Sequence, residues 1–277
     1  MITCAITGSN GVLGKKLKSL LPFKFYEFKK DIRNLKNVEE WILKKDFDII
    51  IHLAAIVATD KVNKNYKKAY DINVKGTLNL IKAITKKKNK PKWFFFASTS
   101  HVYKPTSKFK KISEINQTNP QNKYGLTKLI AEKHLKNLLK KHPIKVCIGR
   151  IFSFTDSKQK SPFVIPSIIK KIKLSKKNIT FKNLNNFRDF LNTKDIISAI
   201  NTLSKKKAGG VYNIGSGICF DLRNIAKIFA KKYNKGIIFQ SSSKPSFLIS
   251  NNNKIKKLGW IPSKFNNNTQ YFYKWIK

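Results

Sequence analysis

Short apolar runs alternate with amphipathic stretches along the first half of this 277-residue chain. A continuous apolar run between polar turns is typical of a buried strand, and apolar positions three and four residues apart are typical of a helix. The pattern predicts strands over residues 2–7, 23–28, 48–53, 92–98 and 145–151. It predicts helices over residues 12–21, 38–45, 67–86 and 124–141. This alternation indicates an α/β fold, a doubly wound parallel sheet of the Rossmann type.

The pattern is less regular after residue 150. It predicts helices over residues 163–172, 193–203 and 222–233, strands over 179–181 and 211–214, and then a polar tail. We therefore expect a dinucleotide-binding domain over residues 1–150. A smaller α/β substrate-binding lobe over residues 151–277 is expected to be interleaved with it. The asparagine tracts 251–253 and 266–268 are predicted to be surface turns.

Three glycines follow the first predicted strand in the run Thr7-Gly8-Ser9-Asn10-Gly11-Val12-Leu13-Gly14. In that place Gly8 permits a tight turn, and Gly11 lets the backbone approach a pyrophosphate. Gly14 lets the next helix pack close to the strand, and the helix start adds free N–H groups and a positive dipole end. We therefore predict a dinucleotide site that includes Gly8, Asn10, Gly11, Val12 and Gly14.

The second predicted strand ends in Glu27-Phe28-Lys29-Lys30-Asp31-Ile32. A carboxylate at this edge binds the ribose hydroxyls of NAD, whereas a cation suits the 2′-phosphate of NADP. The sequence offers Glu27 for the first role and Lys29 for the second. Asp31 and Ile32 are expected beneath the adenine ring. Both cofactors stay open, and NADP is the preferred one.

A tyrosine and a lysine stand four residues apart in Tyr124-Gly125-Leu126-Thr127-Lys128, where a predicted helix begins. That spacing is one helical turn, so both side chains project from the same face. A cation about 4 Å from the phenol, at an effective dielectric of about 20, supplies roughly 4 kcal/mol, or about three pKa units. We therefore expect Lys128, together with the charged nicotinamide, to lower the pKa of Tyr124 until the phenol can serve as an acid or base.

Hydroxyl side chains end the apolar strand that precedes this helix, in the run Ala97-Ser98-Thr99-Ser100-His101. The carboxyl ends of parallel strands face the crevice where ligands bind. A hydroxyl there can hold the oxygen that exchanges a proton with Tyr124. His101 is a further candidate acid or base, because imidazole titrates near neutral pH.

The formal net charge is +44, but only four of the 58 basic residues are Arg. Surfaces that read nucleic-acid bases favour Arg, because its planar fork matches guanine edges and phosphates. Lys is instead spread along the chain with many Asn, Ile and Phe, whose codons are rich in A and T. Genome composition therefore explains the charge, and we predict no nucleic-acid partner. Anionic ligands should still be attracted, and their binding should weaken with salt.

The three cysteines, Cys4, Cys147 and Cys219, are scattered and lack the spacing of a metal site. We expect free thiols in a reducing cytoplasm and no metal ion. No stretch reaches the roughly 18 apolar residues that a membrane span needs, and the amino end is typical of a strand rather than a secretory signal. The sequence thus predicts a cytoplasmic protein that does not associate with membranes.

Together these motifs resemble the extended short-chain dehydrogenase/reductases, the NAD-dependent epimerase/dehydratase family, over nearly the whole chain. Further segments that resemble family motifs are His52-Leu53-Ala54-Ala55, Asn73-Val74-Lys75-Gly76-Thr77, Arg188-Asp189-Phe190 through Asp195, Tyr212-Asn213-Ile214-Gly215-Ser216-Gly217 and Leu258-Gly259-Trp260-Ile261-Pro262. The resemblance implies an NAD(P)-dependent enzyme that acts on a nucleotide-linked sugar. It also implies a homodimer formed through helices near residues 67–86 and 124–141.

The resemblance also implies roles for individual residues. The family's Ser/Thr-x-x-Val-Tyr arrangement, which ends here in Val102-Tyr103, makes Thr99 the catalytic hydroxyl beside Tyr124 and Lys128. The implied cofactor contacts beyond the glycine loop are Leu53, Ala54, Ala55, Asn73, Tyr124 and Lys128. The implied substrate contacts are Thr99, Ser100, His101, Ser153, Phe163 and Arg188, with the arginine on the nucleotide diphosphate.

The reaction stays open at this stage. Family dehydratases place an acid two residues after the catalytic Thr, where this chain has His101, so water elimination lacks its usual base. The segment from Arg150 to Ser167 resembles the GDP-6-deoxy-4-keto-mannose reductases, although Ser153 replaces their Asn. We therefore prefer a 4-keto reductase that transfers hydride at sugar C4, with a nucleotide-sugar 4-epimerase as the alternative. A non-catalytic NAD(P)-binding regulator is a rival, and the retained catalytic residues argue against it.

Overall fold

The computed structural model describes residues 1–175, 178–263 and 272. Its strands are, in chain order, β1 (Thr3–Thr7), β2 (Lys24–Phe28), β3 (Ile49–His52), β4 (Trp93–Thr99), β5 (Lys111–Ile112), β6 (Lys145–Ile151), β7 (Ser153–Thr155), β8 (Asn178–Lys182), β9 (Asn186–Arg188), β10 (Phe190–Asn192), β11 (Gly210–Ile214), β12 (Phe220–Asp221), β13 (Gly236–Gln240) and β14 (Ser246–Ser250). Its α-helices are α1 (Val12–Leu20), α2 (Leu35–Leu43), α3 (Thr59–Lys64), α4 (Tyr66–Tyr70), α5 (Gly76–Lys86), α6 (Lys123–Leu139), α7 (Val164–Leu174), α8 (Thr193–Lys205), α9 (Leu222–Lys232) and α10 (Asn253–Lys256).

Six strands form the central sheet in the order β11-β6-β4-β3-β1-β2, and each pairs in parallel with its neighbours. The chain runs from β1 outward to β2 and then crosses to β3 on the other side. The carboxyl end of β1 therefore lies where the strand order reverses, which is the place where open α/β sheets bind ligands. The predicted Rossmann-type sheet is confirmed. The five strands predicted in the first half begin and end within one residue of the observed strands.

Strand β4 shows why both faces of the sheet are covered. Its run from Trp93 to Phe96 is fully buried. Trp93 and Phe95 pack in one core with residues of α1 and α8. Phe94 and Phe96 pack in the opposite core with residues of α2, α5 and α6. Alternate strand residues point to opposite faces, so a continuous apolar run needs helices on both sides.

The helix predicted over residues 67–86 is divided in the structure. Helices α4 and α5 flank a π-helical turn over Asp71–Lys75. A π-helical turn widens a helix locally and is frequent at functional sites. This turn contains Asn73, which is fully buried. Periodicity did not predict the division, because the apolar positions continue on either side of the turn.

The second lobe contains a four-stranded sheet, in the order β12-β9-β14-β5, and the pair β13-β8. Helices α7 and α9 supply its core together with Phe181, Phe190 and Phe220. Strand β11 and helix α8 return to the central sheet and its core. Strand β5 lies in the sheet of the second lobe, whereas β6 and β11 lie in the central sheet. The chain therefore crosses between the two lobes more than once.

The polar tail expected after residue 233 is wrong in part. Strands β13 and β14 lie in this segment, and the second half of β14 is buried. Asn252, in the first asparagine tract, is also buried, and its amide nitrogen donates to the Gly215 carbonyl at 2.7 Å. Its polarity therefore satisfies a buried carbonyl rather than marking a surface turn. The tract 266–268 lies outside the described residues.

Within the described residues, no helix combines the length and apolar character needed to cross a membrane. The three cysteines are free thiols, and Cys4 and Cys147 are buried. Burial raises the pKa of both thiols, so neither provides a thiolate nucleophile at neutral pH.

Candidate active site

The glycine loop joins β1 to α1 at the carboxyl edge of the central sheet. Gly8 has a φ of +72°, a conformation that side chains rarely adopt. A Cβ at Gly8 would lie 2.6 Å from the Ala54 nitrogen, and one at Gly14 would lie 2.4 Å from the Gly8 carbonyl oxygen. Helix α1 begins without a side-chain cap, which leaves its first N–H groups available to an anion. The loop therefore fits the pyrophosphate of a dinucleotide.

A buried histidine, for which no role was predicted, supports this loop. Nδ1 of His52 lies 2.5 Å from the Thr7 hydroxyl, and Nε2 lies 2.9 Å from the Thr77 hydroxyl. The Thr77 hydroxyl donates to the Asn73 carbonyl, so it accepts from Nε2–H, and Nδ1 accepts from Thr7. Burial, with a smaller effect of Lys128, lowers the pKa of His52 to about 3. The ring is therefore a neutral link between β1, β3 and α5.

Asn73 lies behind the site and holds two of its parts together. Its Oδ1 accepts from the Ile56 nitrogen at 2.7 Å, and its Nδ2 donates to the Ile56 carbonyl at 3.0 Å. The same nitrogen donates to the Thr127 hydroxyl at 3.0 Å. Thr127 lies on α6 between Tyr124 and Lys128. Asn73 thus sets the segment after β3 against the helix that carries the predicted catalytic pair.

The acidic residues near the end of β2 are paired with cations of the chain. Glu27 lies 2.9 Å from Lys18, and Asp31 lies 2.5 Å from Arg33. Hydrogen bonds from Lys18 and Ser9 lower the pKa of Glu27, and those from Arg33 lower the pKa of Asp31. Both carboxyl groups are therefore ionised at neutral pH. Lys29 is exposed beside them.

Ile32 differs in its placement from this polar edge. It is 6% exposed and belongs to the core shared by α2 and α5. A Cβ at Gly76 would lie 2.6 Å from the Ile32 side chain. Ile32, which was expected beneath the adenine ring, therefore packs the segment after β2 against α5.

One cavity of about 740 Å³ brings most of the predicted site residues together. Those that line it are Gly8, Gly11, Val12, Gly14, Leu53, Ala54, Ala55, Thr99, Ser100, His101, Tyr124, Lys128, Ser153, Phe163 and Arg188. Those that do not line it are Asn10, Glu27, Lys29, Asp31, Ile32 and Asn73. The cavity therefore joins the glycine loop of the first lobe to residues of the second lobe.

The three predicted catalytic residues meet in this cavity. Thr99 ends β4, and its side chain is close enough to the Tyr124 phenol to act on the pKa of that group. Tyr124 and Lys128 lie one turn apart on α6 and are both buried. A Cβ at Gly125 would lie 2.1 Å from the His101 carbonyl oxygen. The glycine in this motif therefore lets α6 approach the turn that follows Thr99.

Lys128 alone does not lower the pKa of Tyr124 as expected. Burial raises the pKa of Tyr124 to about 12, and the nearby Thr99 side chain acts against this. Burial also lowers the pKa of Lys128 to about 7, while Glu132 acts in the opposite direction. The Coulomb argument assumed a full charge beside a hydrated phenol, whereas burial disfavours the charged form of both groups. Tyr124 is therefore a protonated phenol at neutral pH, which suits a proton donor.

A buried ion pair, also missed from the sequence, lies beneath these residues. Oε2 of Glu132 lies 2.7 Å from Nη2 of Arg150, and Oε1 lies 3.1 Å from Nε. The Ser98 hydroxyl donates to the same carboxylate. Arg150 Nη1 donates to the Tyr103 hydroxyl at 2.8 Å. The sequence spacing could have indicated this residue, because Glu132 lies one further turn along the face of α6 that carries Tyr124 and Lys128.

His101 lines the cavity next to Tyr124, with 5.8 Å between the ring centroids. Burial, with a smaller effect of Arg188, lowers the pKa of His101 to about 4. The ring is therefore neutral at pH 7 and is not a proton-donating imidazolium there. Its Nδ1 lies 2.7 Å from the side-chain nitrogen of Asn122, a residue that carried no prediction although Asn is a preferred helix cap.

Arg188 enters the cavity from β9 of the second lobe. Its Nη1 donates to the Ser246 carbonyl at 2.7 Å, and its Nη2 donates to the Asn186 side chain at 3.0 Å. Within the residues that the structure describes, no carboxylate pairs with this guanidinium. Burial lowers its pKa only to about 10, so the group stays charged. Nη1 also donates to the Phe187 carbonyl, and Nη2 to the Ser246 hydroxyl, so neutral oxygens hold both ends of a guanidinium that keeps its charge.

Comparison with curated proteins finds several sugar-nucleotide enzymes. The dTDP-D-glucose 4,6-dehydratase of Dictyostelium discoideum is 33% identical over 224 residues, 77% of this chain and 50% of that protein. The GDP-6-deoxy-D-mannose reductase of Pseudomonas aeruginosa is 30% identical over 190 residues, 66% of this chain and 62% of that protein. The UDP-glucose 4-epimerase of Mycoplasma genitalium is 30% identical over 254 residues, 82% of this chain and 74% of that protein. The chain thus spans half to about three quarters of the length of these relatives.

Solved structures share the fold over the whole chain. RMD from Pseudomonas aeruginosa, complexed with NADPH, aligns with a TM-score of 0.87 at 23% identity and covers 100% of this chain and 97% of that one. UDP-glucose 4-epimerase from Thermotoga maritima aligns with a TM-score of 0.82 at 18% identity and covers 100% of both chains. A family profile described as GDP-mannose 4,6 dehydratase matches residues 13–267. The chain therefore belongs to this family, within the extended short-chain dehydrogenase/reductases that its motifs resemble.

Proposed function

We propose that this protein is an NAD(P)H-dependent reductase of a nucleotide-linked 4-keto sugar. The observation that carries the proposal is that the glycine loop, the Thr99–Tyr124–Lys128 group and Arg188 line one cavity. A dinucleotide on the loop and a diphosphate on Arg188 would place the sugar between them, next to the Tyr124 phenol. The reductase and epimerase relatives have names that agree with this substrate class.

The side chains divide the chemistry in a definite way. When bound, NAD(P)H supplies the hydride that reduces the carbonyl carbon. Tyr124 donates its phenolic proton to the carbonyl oxygen as negative charge develops there. Thr99 lies close to the phenol and holds the same oxygen in line with it. The charged fraction of Lys128 stabilises the phenolate that remains.

Reduction suits this site better than water elimination. Elimination needs a base close to the sugar ring, and the residues after Thr99 are Ser100 and a neutral His101 rather than a carboxylic acid. Tyr124 carries its proton at neutral pH, which is the state that reduction of a carbonyl requires of the donor. The 4-epimerases among the relatives make sugar 4-epimerisation the second candidate.

A panel of substrates tests the proposal directly. The purified protein is incubated with UDP-, GDP- and dTDP-linked hexoses and with their 4-keto derivatives, while absorbance at about 340 nm and the products are followed. A reductase oxidises NADPH or NADH only with a 4-keto sugar and forms the 4-hydroxy product. Interconversion of C4 epimers without net oxidation would assign the epimerase instead. Loss of water would contradict both.

Arg188 offers a second test of the substrate class. Because Arg188 lines the cavity from the second lobe, away from the glycine loop, Arg188→Ala should raise the KM for the sugar nucleotide far more than the KM for the cofactor. Charge-assisted hydrogen bonds to a phosphate are worth about 1.5–3 kcal/mol, or roughly ten- to hundredfold in affinity. Equal effects on both KM values would contradict a diphosphate site at Arg188.

We propose NADP(H) as the preferred cofactor. The support is the charge beyond β2, where the side chain of Arg33 remains 44% exposed although it is paired with Asp31. Asp31 also accepts from the Arg33 backbone nitrogen at 2.9 Å, so its oxygens are already occupied. Arg33→Ala should raise the KM for NADPH severalfold and leave the KM for NADH within about twofold, because only NADPH carries the phosphate. An equal change for both cofactors would contradict the preference.

We propose a homodimer formed through α5 and α6. The two helices share the core on one face of the sheet, and Leu126 and Leu138 of α6 are 39% and 44% exposed. Light scattering should give twice the chain mass, and a monomer mass at tens of micromolar would contradict the proposal.

We also propose a reducing cytoplasmic location, which the free thiols support. Thiol titration of the isolated protein should find three free thiols, and a disulfide would contradict it.

A further inference from the structure

The cap of helix α6 fixes the orientation of the Asn122 side chain. Asn122 has extended backbone angles, and its Oδ1 accepts a hydrogen bond from the Gly125 nitrogen at 2.8 Å. A backbone N–H is only a donor, so the side-chain atom that faces it is the oxygen. The amide nitrogen of Asn122 is therefore turned towards His101, with Nδ2 and Nδ1 2.7 Å apart.

This contact determines which nitrogen of His101 carries the proton. An amide nitrogen has two hydrogens and no acceptor lone pair, so Nδ1 of the ring is the acceptor. In a neutral imidazole the proton then resides on Nε2. The ring is neutral because burial and the neighbouring Arg188 both disfavour its charged form. Among the described residues, no hydrogen-bond partner is found for the remaining polar group of the His101 ring, the Nε2–H donor.

The position of the ring gives this donor a use. His101 lines the cavity and lies edge-to-face with Tyr124. Gly125 allows α6 to contact the backbone of His101 directly, so the cap, the ring and the phenol form one packed unit. A neutral imidazole that donates from a fixed orientation can polarise an oxygen without transferring a proton.

We propose that Asn122 is a positioning residue that locks His101 as the Nε2–H tautomer, and that His101 hydrogen-bonds to a sugar oxygen beside the one that Tyr124 protonates. The role of His101 rests on the proposed function, whereas the locked tautomer does not. The lock explains why a histidine at this position is not a general base: its only basic nitrogen is occupied by the Asn122 amide. His101 then contributes to substrate orientation.

Asn122→Asp provides the decisive variant. Its Oδ1 keeps the cap on Gly125, while its Oδ2 replaces the amide nitrogen and presents an acceptor to Nδ1 of His101. The ring must then place a proton on Nδ1, as the other neutral tautomer or as imidazolium. Asn122→Ser is the matched control, because a serine caps the helix but does not reach the ring. Both variants should melt close to the wild-type temperature.

Long-range proton–nitrogen NMR of protein with nitrogen-15-labelled histidine shows which ring nitrogen of His101 is protonated. His101→Gln assigns the signal. We expect a protonated Nε2 and an unprotonated Nδ1 in the wild type at pH 7. In Asn122→Asp we expect a protonated Nδ1, and in Asn122→Ser a mixture. A wild-type ring protonated on Nδ1, or an unchanged ring in Asn122→Asp, would overturn the lock whatever the enzyme's substrate.

Kinetics test the role of the donor once the panel has identified a 4-keto substrate. At a pH where the NMR shows Nε2 of His101 unprotonated in Asn122→Asp, this variant should have a kcat about a hundredfold lower, because the sugar loses an orienting donor, and an unchanged KM for the cofactor. Asn122→Ser should lie between the two proteins. A switched tautomer with unchanged kcat would overturn the catalytic use of His101 and leave the reductase proposal standing. Failure of the whole panel would instead count against the proposed function, while the NMR result would still decide the lock.

Discussion

The buried ion pair beneath the active site offers a sharp test of how the site is supported. Glu132 and Arg150 are 1% and 4% exposed, and two hydrogen bonds join them, at 2.7 and 3.1 Å. In Glu132→Gln, an amide nitrogen takes the place of one carboxylate oxygen and faces the guanidinium, so two donors oppose each other. Arg150 remains charged and buried without its counterion.

The expected loss of stability follows from this geometry. Removing one partner of a buried pair costs about 3–5 kcal/mol, because an uncompensated charge stays in the interior. For a chain of this size each kcal/mol shifts the melting temperature by roughly 2–4 °C, so the variant should melt on the order of 10 °C lower. Glu132 also raises the pKa of Lys128, and its loss should let Lys128 deprotonate at a lower pH.

Two further variants separate the explanations. Glu40→Gln removes an exposed pair with Lys30, at 3.3 Å, and should change stability by less than about 1 kcal/mol. Combining Glu132→Gln with Arg150→Met removes both buried charges and should restore much of the loss. Urea unfolding and thermal melts at pH 7 measure all three. If Glu132→Gln is no less stable than Glu40→Gln, the buried pair does not support the site.

Further predictions concern the glycine loop, the second lobe and the pH dependence of the reduction rate. Gly14→Ala brings a Cβ to 2.4 Å from the Gly8 carbonyl oxygen, whereas at Gly11 the same distance is 3.3 Å, so Gly14→Ala should lower the melting temperature more than Gly11→Ala does; equal melting temperatures would contradict this. Asp189→Asn should destabilise the protein by about 1–3 kcal/mol in urea, because both carboxylate oxygens accept backbone N–H groups and an amide leaves one opposed in either orientation; unchanged stability would refute this. The reduction rate should decline as the pH rises through about 7, since Lys128 is charged below its pKa and neutral above it; a flat profile from about pH 6 to 9 would contradict its role.

Apolar periodicity predicted the central sheet because its strands are buried on both faces. The run from Trp93 to Phe96 has one interpretation in a soluble α/β fold, since alternate residues need apolar partners on each side. Strand β8 of the second lobe was predicted over residues 179–181, but other strands of that lobe were missed for the opposite reason. β13 alternates exposed and half-buried residues, and β5 and β12 have two residues each, too few to leave a periodic signal.

Spacing along the chain predicted which catalytic residues meet, but not their protonation states. Tyr124 and Lys128 share a face because of the helical repeat, which is a local property. Their pKa values depend on burial by distant parts of the chain, and burial reversed the expected direction for Tyr124. The tautomer of His101 likewise depends on Asn122, 21 residues away, which reaches the ring only because Gly125 lets α6 pack against it.

Tyr124 is the proposed proton donor in the cavity. The most direct measurement is single-turnover reduction of a 4-keto sugar nucleotide by Tyr124→Phe, together with the Kd of NADPH. Phenylalanine keeps the ring and its packing and removes only the hydroxyl. We expect a rate about 10²–10⁴-fold lower and a Kd within about twofold of wild type. A rate equal to that of the wild type would contradict this role.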